Sequence, residues 1–364
     1  MHKLAQIWSG IQHDLFPRLT EVLDPLTEKQ KELVAILELC RIEDYVPEPW
    51  WSLGRTQCDR KALARACVAK MVYNLPDTRQ LIEQVKSAPN LRRICGWPRR
   101  RDVPSESTFS RAFAEFAASQ LPQRVHAALI EQYESPRLVG HLSRDSTDIV
   151  AREKPAAKEK KEAAVPPGKR GRPKTGEIRP AQEPTRLERQ AAGMQLPEML
   201  ADLPSRCDWG TKKKNGGVYH WKGYKLHLDW ADGEIPVSVI LTSASVHDSQ
   251  VAIPLALMSA QRVSSLYDLM DAAYDAPAIW EQSRRLGHVP LIDRNRRRGE
   301  KLPLEPAAAR RFDERTTAER GNSLFKEKFG GGAELRVRGV AKVAAHLLFG
   351  IVALTAERLL NLLC

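Results

Sequence analysis

Through the first 133 residues, apolar positions recur at helical spacing. In 26–42 (LTEKQKELVAILELCRI) they follow Thr27, a helix-start residue, and 60–75 (RKALARACVAKMVYNL) repeats the pattern. A shorter helix is predicted over 78–85. In 90–117 (NLRRICGWPRRRDVPSESTFSRAFAEFA) a short helix ends at Gly96 and a turn rich in Pro and Arg follows. Ser105 or Ser107 then caps a new amphipathic helix.

From residue 207 the period changes to two. Residues 219–230 (YHWKGYKLHLDW) alternate, Asp232-Gly233 reads as a hairpin turn, and 235–243 (IPVSVILTS) as the returning strand. A helix over 248–262, a strand over 265–270 (SLYDLM), a helix over 276–286 and a strand over 288–293 (HVPLID) follow. Two helices, 306–329 and 340–363, end the pattern. This order predicts an α/β fold, a mixed sheet flanked by helices, after an N-terminal all-helical domain.

Residues 151–206 obey neither period. They hold 13 Lys/Arg, 8 Asp/Glu and 8 of the 24 prolines, too little apolar surface to offset ordering entropy, so a flexible basic insertion is expected. The predicted organisation is a helical domain (1–133), a first strand (134–150), the insertion (151–206), the rest of the α/β domain (207–340) and a C-terminal packing helix (341–364).

Composition adds a partner class. Hydrophobic residues are 42% of 364, which excludes a wholly disordered chain, and 57 Lys+Arg against 45 Asp+Glu give +12, which favours a polyanion. The longest uncharged apolar run, 343–356, has 14 residues, short of the roughly 20 a bilayer requires. With no secretory pattern at the start and six scattered cysteines without a C-x-x-C pair, the expectation is a cytoplasmic protein with no membrane partner.

Basic side chains cluster in three places. Six, with no acid, lie between Lys86 and Arg101. Beside two helices and a turn, Arg99, Arg100, Arg101 and Arg111 suit a helix-turn-helix DNA reader, the alternative being a solvated face of a bundle. In Lys169-Arg170-Gly171-Arg172-Pro173-Lys174, Arg170 and Arg172 resemble the core of an AT-hook, which enters a narrow minor groove; nonspecific phosphate contact is the alternative. Arg296 and Arg297 belong to a run from Arg294 to Lys301 that reads as a DNA-backbone patch or a solvated loop.

Three carboxylates stand out by placement: Asp145 after a weakly apolar strand, Asp271 closing SLYDLM, and Glu319 within a helix. Converging on hard divalent cations, such groups would activate a water or a 3′-hydroxyl against a phosphodiester. Asp148, in the same stretch, is a substitute for Asp145. At 3.6 residues per turn, Phe312, Arg315, Glu319 and Lys326 share one helix face, where an exposed ion-pair row is the bland reading. His227 and His247 read as packed or solvent-facing residues, and Trp209, Trp221, Trp230 and Trp280 as core or rim packing rather than base-stacking platforms.

Phe312-x2-Arg315-x3-Glu319-x6-Lys326 resembles the Tyr-x2-Arg-x3-Glu-x6-Lys motif of the DDE transposases of bacterial insertion sequences, superfamily four and five. Other segments agree in order: Asp145-Ser146-Thr147 with the first-aspartate motif, Gly223-Tyr224-Lys225-Leu226-His227 with the next strand, and 241–248 (LTSASVHD) with a strand-to-helix segment. Asp271-Ala272-Ala273-Tyr274-Asp275 is similar to the second-aspartate motif, and 103–111 (VPSESTFSR) to the helical leader. Phe312 in place of tyrosine and Ala273 in place of glycine depart from the pattern.

The resemblance implies an RNase H-like catalytic domain in which Asp145, Asp271 and Glu319 bind two Mg²⁺ ions, with Mn²⁺ as a substitute. Arg315 and Lys326 would hold phosphate or a flipped end base. It implies double-stranded DNA as partner, element ends and target, bound by a homodimer. Cleavage and strand transfer is the expected activity. A catalytically inactive DNA-binding repressor and a stand-alone metal-dependent nuclease are the alternatives.

Overall fold

The computed structural model describes residues 25–47, 58–157, 183–214, 217–295, 304–330 and 335–363. Arg170, Arg172, Arg296 and Arg297 lie outside them.

The N-terminal part is helical, as the periodicity predicts. Helix α1 (Glu28–Cys40) begins in a reciprocal cap, Thr27 Oγ1 accepting from the Gln30 amide while Gln30 Oε1 accepts from the Thr27 amide. Helices α2 (Arg60–Val72), α3 (Thr78–Ser87) and α4 (Pro89–Cys95) follow. Gly96 closes α4 at φ +113°, a left-handed cap that a side chain would strain. Helix α5 (Glu106–Ala118) starts after Ser105, whose hydroxyl makes no cap bond to the helix backbone, and α6 (Leu121–Tyr133) leads to the sheet.

The six strands of one mixed sheet are β1 (Leu138–Val150), β2 (Asp208–Lys214), β3 (Gly217–Ala231), β4 (Ile235–Ser243), β5 (Ser264–Met270) and β6 (Val289–Ile292). β3 pairs antiparallel with β2, β4 and β1, whereas β1, β5 and β6 run parallel. Between the strands lie α7 (Arg186–Ala191), α8 (Leu196–Asp202), α9 (Ala252–Ala260) and α10 (Pro277–Arg285), with one-turn 3₁₀ helices at Asp248–Gln250 and Ala272–Tyr274. After β6 come α11 (Pro306–Asp313), α12 (Thr316–Lys328) and α13 (Val340–Leu363).

Four local expectations change. Helices α7 and α8 stand where a flexible insertion is predicted, and α7 packs on α9 and α10, anchored by Gln190 Nε2 donating to the Gln250 carbonyl at 2.9 Å. β2 escapes the periodicity because its sequence, DWGTKKK, has no alternating apolar face. Trp209 on it is 57% exposed rather than packed. The predicted helix 306–329 is broken at Glu314–Arg315, so Phe312 and Glu319 belong to different helices.

Helix α13 joins the two halves. It packs on α1, α2, α5 and α6 and also on β4, so one continuous core runs from the helical part into the sheet. It is long and apolar enough to cross a membrane by length and composition, yet 78% of its most apolar window is buried inside the protein.

Candidate active site

The parallel pairing of β1 with β5 ends at Arg144↔Met270. Asp145 and Asp271 are the next residues on these neighbouring strands, which in a sheet lie about 5 Å apart. Asp145 is not at the end of its own strand. β1 runs on to Val150 because β3 continues to pair with it as far as Gly223. The site lies instead where β5 stops and leaves one edge of β1 open. Asp271 there caps the 3₁₀ turn, its Oδ1 accepting from the Ala273 amide at 2.9 Å.

Helix α12 closes the site from the other side. Gly321 lets it settle onto β3: a Cβ at this position would lie 2.6 Å from Trp230 ring carbons. Ser143 Oγ donates to the Glu314 carbonyl at 3.2 Å, and Asn322 Nδ2 donates to Asp145 Oδ2 at 2.9 Å. Lys326 pairs with Asp148 at 2.9 Å, so Asp148 serves as the lysine's counter-ion. Glu319 sits one turn before Asn322 but is exposed and paired with Arg315 at 2.7 Å. The Arg315 guanidinium lies over the Phe312 ring, 5.8 Å from its centre.

Burial pushes the Asp145 carboxyl up to about 6, with the charges of Asp271 and Asp248 adding to the effect. Asp271 is raised as well, chiefly by burial and then by Asp248, against relief from Arg315 and Lys212. Asp248, which the sequence reading left without a role, is a third carboxylate of this group. Burial works against its charge, but His227 and Lys225 outweigh it and hold the carboxyl below the usual range. The motif residues of β3 thereby acquire a role. Lys225 Nζ donates to Asp248 Oδ1 at 3.0 Å and to the Val246 carbonyl at 2.8 Å. His227 is fully buried, pushed down to about 4 mainly by desolvation, and its Nε2 meets Thr242 Oγ1 at 2.9 Å.

On the sheet face that Lys225 and His227 share, opposite the Asp145 side chain, a charge network ties the strands together. Arg144 is 2% exposed; its Nε and Nη2 donate to the two Asp229 oxygens at 2.8 Å each, and Nη1 touches Met270 Sδ at 3.4 Å. Asp229 also accepts from Ser259 of α9 at 2.6 Å. This pair is not legible in the sequence, because HLSRDSTD and YKLHLDW set each charge among other polar side chains.

Of the basic candidates, Arg99, Arg100, Arg101 and Arg111 are exposed, all on or just before α5. Arg294 stacks on Trp280, 4.6 Å from the ring centre, and faces Asp275 at 3.7 Å.

Among the described residues no three His, Cys, Asp or Glu side chains stand close enough to cage a metal ion. The chemistry of the donors nevertheless suits a hard cation, for Mg²⁺ commonly takes one or two carboxylates together with water and substrate phosphate. Asp145 and Asp271, close together and reluctant to ionise, are such a pair.

Comparison with family models bears on the same region. Residues 141–356 match a family described as Transposase DDE domain, and residues 19–115 match one described as Transposase domain (DUF772). The chain belongs to the DDE transposase family. The match spans β1 to most of α13, and so contains Asp145, Asp271 and Glu319. Family members generally use divalent metal ions. No curated protein and no solved structure matches the chain.

Proposed function

We propose that this transposase binds the terminal inverted repeats of an insertion sequence and catalyses Mg²⁺-dependent DNA cleavage and strand transfer on an RNase H-like domain. The carrying observation is the register Arg144↔Met270, which sets Asp145 beside Asp271 at the open edge of β1. The strand order β2-β3-β1-β5-β6, with β4 on β3, is consistent with that fold class.

In this reading Asp145 and Asp271 hold the cations, and Glu319 joins them when DNA phosphate draws Arg315 away. Bound divalent cations would lower the pKa of the attacking water or 3′-hydroxyl and stabilise the leaving oxygen. Asn322 fixes Asp145, while Arg315 and Lys326, both now paired with carboxylates, exchange those partners for phosphates. The exposed arginines Arg99, Arg100, Arg101 and Arg111 supply backbone contacts from the helical part, and Arg170, Arg172, Arg296 and Arg297 supply further ones. The protein acts in the cytoplasm as a homodimer on DNA.

The test is cleavage of inverted-repeat DNA in Mg²⁺, followed by joining to a supercoiled target. Asp145→Asn and Asp271→Asn are expected to abolish both steps. Glu319→Gln cutting as well as wild type would remove Glu319 from the site. Cutting without joining would make the protein a nuclease, and salt-dependent binding without any nicking would make it a repressor.

A further inference from the structure

Among the described residues of the candidate site, Tyr274 carries a polar group that no contact uses. Tyr274 closes the 3₁₀ turn that Asp271 caps, and its backbone amide donates to the Asp271 carbonyl at 3.1 Å. Its ring packs with Ala252, Met270, Ile279 and Ile292, leaving the residue 1% exposed. The hydroxyl is buried and has no hydrogen-bond partner among the described residues. Such a group is costly: desolvation removes its bonds to water and nothing replaces them. A phenylalanine would fill the same space without that cost.

The surroundings of this hydroxyl are the carboxylates already described. Its turn packs against the 3₁₀ turn that begins with Asp248. Asp248, Asp145 and Asp271 all act on it electrostatically, and together with burial they hold the phenol protonated well above its ordinary range. It is therefore a protonated donor buried on the turn beside these carboxylates. Each of those carboxylates already has one oxygen engaged: Asp145 Oδ2 takes Asn322, Asp248 Oδ1 takes Lys225 and Asp271 Oδ1 takes the Ala273 amide.

We propose that Tyr274 is a positioning residue whose buried hydroxyl is held in reserve for the loaded site, donating to a carboxylate oxygen of the Asp145–Asp248–Asp271 group once a divalent cation is bound. This rests on the reading of Asp145 and Asp271 as cation ligands. The donor adds a second fixed bond to a carboxylate now held by one, and outer groups of this kind change metal affinity about 10- to 100-fold.

The experiment titrates the full-length protein, without DNA, with Mn²⁺ followed by electron paramagnetic resonance. Wild type, Tyr274→Phe and Asp145→Asn are compared, with thermal melts of each metal-free protein. Tyr274→Phe is expected to bind Mn²⁺ at least about tenfold more weakly, while its metal-free melting temperature stays equal or rises. Unchanged Mn²⁺ affinity in Tyr274→Phe, with Asp145→Asn impaired, overturns the role of Tyr274 and leaves the site standing. A lower metal-free melting temperature also overturns it, because the hydroxyl would then already be bonded. Wild-type affinity in Asp145→Asn would remove the site and this inference together.

Discussion

Asn322 Nδ2 donates to Asp145 Oδ2 across 2.9 Å, joining α12 to β1 over 177 residues of sequence. The bond leaves Asp145 with one oriented oxygen, and it sets the register of the helix that carries Glu319. Asn322→Ala removes the donor without adding charge. Cleavage of inverted-repeat DNA is expected to fall about 10- to 100-fold, as for other groups that orient metal ligands. The fold should lose only about 1.5–3 kcal/mol, the range for a bond to a charged acceptor. Urea denaturation beside the cleavage assay separates the two effects.

The raised carboxyls make the metal-free protein sensitive to pH. Asp145 is pushed from 3.8 to about 6 in the folded chain, and Asp271 shifts in the same direction. A group that ionises later when folded gives stability that is fully present below its unfolded pKa and lost as pH rises through the folded one. Each unit of such a shift corresponds to about 1.4 kcal/mol. Between pH 4 and pH 7 Asp145 therefore works against the stability gained over the same range by the buried histidines His126, His227 and His346, whose pKa values are pushed down. Asp145→Asn should raise the melting temperature at pH 7 relative to that at pH 4, compared with wild type, and weaken the stabilising response to Mg²⁺. A difference between pH 4 and pH 7 that is unchanged in the variant would exclude Asp145 as a source of the pH dependence.

Much of this arrangement is legible in the sequence. Strand β4 and the ends of β5 and α13 follow from periodicity, and the candidacy of Asp145, Asp271 and Glu319 from motif order. Their relations are not legible. The Arg144↔Met270 register is a long-range pairing, and no local pattern encodes which strands become neighbours. The break before Arg315 escapes notice because RRFDERTTAER has no Gly or Pro to mark it. Asp248 stands out only as part of a motif, since its link to Lys225 depends on how the β3–β4 hairpin returns. The helices between residues 183 and 206 are lost in the charge of the segment around them. Their few apolar side chains suffice because Met199, 2% exposed, is buried in the folded chain.

Arg144 and Asp229 form a buried pair with both guanidinium–carboxylate bonds made, so removing one partner strands the other charge. Asp229→Asn or Arg144→Ala is expected to destabilise the protein by about 3–5 kcal/mol. The joint replacement Arg144→Met with Asp229→Leu should recover most of that loss, because apolar side chains of similar volume replace buried ion pairs well. Urea denaturation of the three proteins checks the expectation. If the joint variant is no better than the single ones, the pair is more than mutually compensating.

The exposed cluster before and on α5 makes a prediction about salt. If Arg99, Arg100 and Arg101 bind phosphates, each neutralised phosphate releases counter-ions. Replacing all three by alanine should then reduce the slope of log affinity against log salt by about 0.9 for every phosphate left without its arginine. Electrophoretic mobility shifts at several salt concentrations measure this slope. Weaker binding with an unchanged slope would mean that these arginines act through the fold of the α4–α5 turn rather than through phosphate.

Gly321 separates the helix's structural job from its chemical one. A methyl group at this position meets the Trp230 ring at 2.6 Å, and Trp230 is fully buried in β3. Helix α12 must therefore rise off the sheet. Gly321→Ala is expected to cost about 1–3 kcal/mol from overpacking, a modest loss for a chain of this size. The same displacement lengthens Asn322–Asp145 and Lys326–Asp148 and carries Glu319 away from the two aspartates. Cleavage should consequently fall well beyond what the stability loss explains at temperatures where the variant is fully folded. Trp230→Phe in the Gly321→Ala background removes one ring of the indole and should return part of the activity. No recovery would show that the helix is held by contacts other than this one.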